Sequence, residues 1–136
     1  MRNVYPDDVF GPVVHSYSRL QAIEDGVLVD LMQPELAPLV REAGFKFPIA
    51  MTTTAFSKAV APIDGELPAG QDLKGRLWDV LWMLKLAIRA SAGGSELCFR
   101  VSVWNGRRRE VVKLKSVCGP GDSGEPVLTI MLPDED

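Results

Sequence analysis

The spacing of apolar positions changes once along this chain, close to residue 92. From Leu73 to Ala90 apolar residues recur with the period of a helix, and Asp72 stands where a helix cap belongs. After the breaking pair Gly93 and Gly94 they recur at every second position, which is typical of strands. The pattern therefore predicts one long helix over residues 72–91, followed by strands over residues 96–133.

The long helix is apolar on two faces. One face is the expected core stripe, formed by Leu73, Leu77, Val80, Leu81, Leu84, Ala87 and Ile88. The opposite face, called the tryptophan face below, is formed by Trp78, Trp82, Lys85, Leu86 and Arg89. Such a helix either lies between two layers of its own domain or presents one face to a partner. Because the apolar residues of the first half need a packing surface, we expect the N-terminal elements to cover the tryptophan face.

The strands are predicted to form a three-stranded antiparallel meander. Apolar residues alternate with polar ones up to Asn105 and Gly106, the dipeptide that best suits a two-residue type I′ hairpin turn. The register that follows from this turn pairs Trp104 with Arg107, Phe99 with Val112 and Leu97 with Leu114. A third strand, over residues 127–132, returns after a glycine-rich turn. One face of the meander is then expected to pack on the long helix.

The N-terminal half is predicted to add short elements as a second layer. Residues 1–15 mix proline, aspartate and glycine, which predicts an irregular arm, and residues 16–71 are predicted to form short helices and strands. Ser18 fits a helix cap and Gly26 a helix end. The next elements are a strand over 27–29, a helical turn over 38–43, an edge strand over 45–50 that contains Pro48, a helix from Thr53 or Thr54 to Val60, and a loop over 62–71. The predicted architecture is a single α+β domain over residues 1–136.

Composition narrows the class of protein without naming a function. Of the 136 residues, 46% are hydrophobic and 24% charged, which is typical of a globular protein and not of a disordered or membrane-spanning one. Aspartates occupy the N-terminal stretch where a signal peptide needs apolar residues, so we expect a cytoplasmic location and no membrane partner. One histidine, His15, and two distant cysteines, Cys98 and Cys118, give no metal-ligand spacing. We expect no metal, cofactor or catalytic residue.

Charge is unevenly distributed, although the net charge is only −3. Residues 97–117 hold six cations against one carboxylate, a balance of +5. The predicted register collects a basic hairpin face on the outer side of the meander, formed by Arg100, Trp104, Arg107, Arg109, Lys113 and Lys115. Basic side chains around an aromatic ring suit nucleic acid, and an acidic protein patch fits them equally well. The third interpretation is a solvated sheet face on which charge discourages aggregation.

The turn before the third strand resembles two functional motifs. GDSGEP at residues 121–126 differs in one residue from the sequence around the nucleophile of trypsin-like proteases, and residues 119–124 match the G-x-G-x-x-G pattern of nucleotide-binding loops. The protease chemistry needs an oriented histidine base on a larger scaffold, and the nucleotide loop needs a helix where a strand is predicted. We therefore interpret the segment as a turn. A small hydrolase that uses Asp122, Ser123 and Glu125 is the remaining interpretation.

Similarity to a known family lies in four blocks of the sequence. They are SYSRLQAIEDGVLVD, REAGFKFPIAMT, GRLWDVLWML and CGPGDSGEPVLTIMLP, which resemble a family of small uncharacterised bacterial proteins typically found on plasmids and other mobile elements. The resemblance spans residues 16–133 and implies no activity and no site residue. It does imply a role, since small proteins of such elements often inhibit host defence or regulate transfer.

These observations favour a protein-interaction module over an enzyme. The candidate surfaces are Trp78, Trp82, Lys85 and Arg89 on the helix, or the basic hairpin face. The expected partner is a host protein, a protein of the same element or a second copy of the chain, and inhibition of a host defence system is the role that the resemblance implies. A nucleic-acid-binding regulator that uses the basic hairpin face is the alternative.

Overall fold

The computed structural model describes residues 17–62 and 65–135. They form helices and strands in the order α1 (Arg19–Glu24), β1 (Leu28–Asp30), α2 (Ala37–Glu42), β2 (Ile49–Thr52), α3 (Thr53–Ala59), α4 (Leu73–Ala90), β3 (Glu96–Trp104), β4 (Arg109–Pro120) and β5 (Pro126–Met131). The predicted arm over residues 1–15 lies outside the described residues, as does part of the predicted loop over residues 62–71. No helix in the described ranges is long and apolar enough to cross a membrane.

The strands form one mixed sheet in the order β1-β2-β5-β4-β3. Strands β2 and β5 are parallel, and the other neighbouring pairs are antiparallel. The predicted α+β class and the long helix are confirmed, but the sheet is wider than the predicted three-stranded meander. The N-terminal half adds two strands to it because Ile49 and Met51 of β2 join the same buried face as Leu128 and Ile130 of β5.

Strand β2 has a central position, and the edge position predicted from Pro48 is wrong. Pro48 lies just before the strand, so its missing N–H removes no hydrogen bond from the ladder. Its carbonyl accepts a hydrogen bond from the Leu128 amide at 2.9 Å. All four residues of β2 are buried. Here proline precedes a central strand and does not mark an edge.

Helices α2, α3 and α4 cover one face of the sheet, and the core lies between them and the strands. Helix α4 packs mainly on β3, with α2 and α3 beside it. Side chains that are fully buried between the layers include Val40, Met51, Leu77, Val80, Leu81, Leu84, Leu114 and Ile130. The expectation that N-terminal elements cover the tryptophan face holds only for part of it: Trp78 packs against the core and Lys85 lies beside Gly44, but Trp82 and Leu86 are exposed. Ile49 and Met51 are buried in the sheet and Val40 is buried beside α4, whereas Val27 (49% exposed) and Phe47 (46% exposed) stay at the surface.

Helix α1 lies on the other face of the sheet. The Arg19 guanidinium donates to Thr129 Oγ1 at 2.7 Å and to the Leu128 carbonyl at 2.8 Å. Thr129 points away from the core because its neighbours in the strand point into it. Ser18 caps α1 as predicted, since its Oγ accepts from the Gln21 amide at 3.0 Å. The helices therefore lie on both faces, with the larger core under α4.

The β3–β4 hairpin has a register different from the predicted one. The observed pairs are Trp104 with Arg109, Phe99 with Leu114 and Leu97 with Ser116. The cause is the Asn105 side chain, whose Oδ1 accepts hydrogen bonds from the amides of Arg107 (2.9 Å) and Arg108 (3.0 Å). This closes a longer loop over residues 105–108 in place of a two-residue turn. The slip is by two residues, so each strand side chain keeps its predicted face.

Candidate interaction surface

The tryptophan face of α4 lies at the surface of the protein. Trp82 and Leu86 are each 40% exposed, and Arg89 is exposed as well. Trp78 and Lys85 are half-buried. The core stripe on the other side explains why α4 is helical and where it packs, but it does not explain the large apolar side chains that contact water. Such side chains, next to cations, are typical of a protein-binding surface.

The aromatic and cationic side chains of this face contact one another. The rings of Trp78 and Trp82 are stacked, with centroids 6.1 Å apart and planes 16° from parallel. Lys85 Nζ lies 5.5 Å from the centroid of the Trp82 ring, which is within the range of a cation–π contact. Helical spacing brings the three residues together, because residues three or four apart are neighbours on a helix. A surface that is already ordered loses less conformational entropy when a partner binds.

A cavity of about 540 Å³ opens beside the tryptophan face, at the C-terminal end of α4. The segment between α2 and β2, the start of β3 and part of β4 form its other walls. The lining is mostly apolar and includes Phe45, Phe47, Ile88, Leu97 and Cys118. Lys85 and Arg89 also line it, so they belong to both the tryptophan face and the cavity. The face and the cavity form one continuous surface that joins apolar area to positive charge.

The outer side of the hairpin collects fewer exposed cations than the sequence predicts. Arg100 lies directly opposite Lys113, and Trp104 lies opposite Arg109. The three cations are exposed, and Trp104 is half-buried. Val111, 63% exposed, interrupts the positive surface between Arg109 and Lys113. Like charges directly opposite on neighbouring strands are destabilising, so an anion at this position would relieve a repulsion.

Two residues of the predicted basic hairpin face do not belong to its exposed part. Arg107 lies in the loop over residues 105–108, because the Asn105 side chain lengthens the turn. Lys115 is only 8% exposed, since β4 is an inner strand and Lys115 lies between Cys98 of β3 and Met131 of β5. The exposed part of the face is therefore formed by Arg100, Arg109 and Lys113, with Trp104 beside them.

The turn between β4 and β5 holds α1 in place. The carboxylate of Asp122 accepts hydrogen bonds from the amides of Leu20 (3.0 Å) and Arg19 (2.8 Å), and these two bonds hold the pKa of Asp122 below its ordinary value. Glu125 accepts a hydrogen bond from the Ser123 amide at 3.0 Å. Asp122 and Glu125, the two carboxylates of the hydrolase interpretation, thus both accept hydrogen bonds that stabilise the structure. Within residues 17–62 and 65–135, no group of three or more His, Cys, Asp or Glu side chains is placed to hold a metal ion.

Sequence reasoning missed Arg76, which joins three elements. This residue is buried on the inner side of α4, and its guanidinium donates to the carbonyl of Trp104 at the end of β3. It also donates to the Val60 carbonyl at 3.4 Å and to Gln71 Oε1 at 3.5 Å. Within the helical pattern a buried arginine cannot be told from a surface cation. Only its position beside the core stripe, one residue before Leu77, could have indicated burial.

The fold and this surface define a small α+β protein with an exposed aromatic helix face. The chain belongs to a family of unknown function, DUF6573, which it matches over residues 7–136. No curated protein and no solved structure matches the chain.

Proposed function

We propose that the protein is a non-enzymatic interaction module whose tryptophan face and adjoining cavity bind another protein. The observation that supports this proposal is the exposure of Trp82 and Leu86 on a helix whose opposite side already fills the core. Tryptophan and arginine are the residues most enriched in binding hot spots. An apolar cavity next to them gives a partner side chain a place to be desolvated.

The chemistry of the surface favours one kind of partner. Lys85 and Arg89 line the apolar cavity, so a partner segment with an aromatic or aliphatic side chain followed by a carboxylate would match both properties. The apolar side chain would enter the cavity and lie against the indole of Trp82. The carboxylate would replace water around the two cations. A second copy of the chain would satisfy the apolar contact but would bring cations against cations.

The resemblance to small proteins of plasmids and mobile elements supports a narrower version of this proposal. In that version the protein is encoded by a mobile element, acts in the cytoplasm and inhibits a host defence system by binding one of its components. The test is a phage challenge of a host that carries an active defence system, with and without expression of the protein. Expression should raise plaque formation, and a variant of the tryptophan face should not. Equal plaque counts in all cultures would contradict this version.

A pair of matched substitutions tests the interaction itself. Leu86→Lys places a charge on the tryptophan face, and Leu20→Lys places the same charge on α1, where Leu20 is 59% exposed. Both residues lie on helices and lysine is a good helix former, so both variants should keep the melting temperature of the original protein within a few degrees. Quantitative affinity capture from the native host should lose its specific partner with Leu86→Lys and retain it with Leu20→Lys. Equal capture by both variants would contradict the proposal.

A nucleic-acid-binding regulator is the second candidate, and the facing of Arg100 and Lys113 across the hairpin favours it. Phosphates would relieve the repulsion between these cations, and the Trp104 ring could stack on a base. Three exposed cations predict weak binding with a shallow salt dependence. The test is titration of single- and double-stranded oligonucleotides at low salt, where binding should weaken as salt rises. No binding at low salt would exclude this candidate.

A further inference from the structure

Strand β3 is an edge strand of the sheet formed by the described residues. It has nine residues, and among the strands of the described residues it pairs with β4 alone. Proteins usually protect long edge strands with charged side chains, proline, bulges or a covering segment. Strand β3 contains no proline, and its pairing with β4 runs without interruption from Glu96 to Trp104. One charged residue, Arg100, occupies the middle of the edge.

The hydrogen-bond pattern shows which backbone groups point outward. In an antiparallel pair, residues whose N–H and C=O groups face the neighbouring strand alternate with residues whose groups face away. The Asn105 amide donates to the Arg108 carbonyl, and the Cys118 amide donates to the Ser95 carbonyl, so the odd-numbered residues of β3 face β4. The even-numbered residues therefore point out of the sheet. The Trp104 carbonyl fits this rule, because it accepts from Arg76 outside the ladder.

Side chains and backbone groups at this edge are arranged in a way that suits the binding of an added strand. Cys98, Arg100 and Ser102 have exposed side chains, and their amides and carbonyls point away from β4. The residues between them, Phe99 and Val101, are buried under α4. Met83 is exposed on the flank of α4 opposite Lys85, and because α4 packs on β3 we expect an added strand at this edge to pass beneath it. An added strand would find hydrogen-bond groups at the edge, an apolar contact on its inner side and cations on its outer side.

We propose that β3 accepts an extended segment of a partner protein as a sixth strand, with a carboxylate of that segment beside Arg100. A segment that carries a carboxylate matches the charge of this edge, because Arg100 and its cross-strand neighbour Lys113 present two cations on the outer face. A second copy is disfavoured, since a two-fold pairing over the whole of β3 would bring Arg100 against Arg100. Nucleic acid would use the cations but not the backbone groups. This site is separate from the tryptophan face, so each can fail without the other.

The test uses the full chain and a synthetic nine-residue peptide that alternates valine with glutamate, with an alternating valine and lysine peptide as control. Binding is measured by fluorescence polarisation, and amide exchange of the protein is followed by NMR. The glutamate peptide should bind at least tenfold more tightly than the lysine peptide and slow exchange of the Arg100 and Ser102 amides at least tenfold. Ser102→Pro removes an amide that points out of the sheet and should abolish binding. Arg100→Glu should reverse the preference between the two peptides, which keeps the proposal testable if the proline variant does not fold.

Several results would overturn this proposal. One is the absence of glutamate-peptide binding at millimolar concentration. Another is binding that leaves the Arg100 and Ser102 amides unprotected, or that is lost with Leu86→Lys and retained with Ser102→Pro. Protection of these amides without peptide would show that another part of the chain, or at rising protein concentration a second copy, occupies the edge. Competition by a single-stranded oligonucleotide that leaves the amides in fast exchange would assign the cations to nucleic acid.

Discussion

Replacing Arg76 with methionine should lower the free energy of unfolding by about 2–4 kcal/mol. The aliphatic stem is kept, so the loss comes from the hydrogen bonds of the buried guanidinium. The bond to the Trp104 carbonyl, from a charged donor, contributes about 1.5–3 kcal/mol. The longer contacts to Val60 (3.4 Å) and Gln71 (3.5 Å) add about 0.5–1 kcal/mol between them.

The assay is chemical and thermal unfolding of three variants of the same helix. Arg76→Met should lower the melting temperature by about 8–16 °C without changing the denaturant slope. Arg76→Lys should lose more than half as much, because one ammonium group cannot reproduce the planar fork of donors. Arg89→Met, an exposed position, is the control and should change stability by less than about 0.5 kcal/mol. If Arg76→Met matches this control, the reasoning about the buried guanidinium is refuted.

Three further outcomes are expected. The pKa of Asp122 is lower in the folded protein than in the unfolded chain, so its stabilising effect is present above the unfolded-state pKa and is lost as the pH falls through the folded-state pKa. The difference in melting temperature between the original protein and Asp122→Asn should therefore shrink from pH 7 to pH 3. A constant difference would contradict this. Gly44→Ala should cost about 1–2 kcal/mol in denaturant unfolding because φ is 97° at this position, and a neutral effect would contradict the turn geometry. A thiol reagent should modify the exposed Cys98 faster than the half-buried Cys118, as mass spectrometry of the labelled peptides would show, and equal rates would contradict their placement.

Features that depend on neighbouring residues could be predicted from the sequence. The period of apolar residues and the cap at Asp72 define α4, whose first turn is closed by a 2.6 Å hydrogen bond from the Gly75 amide to the Asp72 carboxylate. Alternation likewise assigned the two faces of the hairpin correctly, even though the register was wrong. The error came from Asn105, whose side chain accepts hydrogen bonds from nearby backbone amides and so stabilises a different turn from the predicted one.

Features that depend on distant residues could not be predicted. The parallel pairing of Met51 with Ile130 joins segments that are far apart in the chain, and no local sequence pattern predicts this pairing. That pairing also gives the apolar residues of β2 a place away from the tryptophan face. Apolar residues of the first half could be buried on the back of α4 or in an extended sheet, and both choices satisfy the same composition. In the structure β2 takes the second choice, and Trp82 is at the surface.

The most direct test of the central claim is photocrosslinking from the tryptophan face in living host cells. A benzophenone amino acid at position 86 reports on the partner surface, and the same amino acid at position 20 on α1 serves as control. The proposed function predicts a crosslinked species of one defined mass, other than twice the mass of the chain, from position 86 and none from position 20. Identical patterns from the two positions, or no product from either, would contradict it.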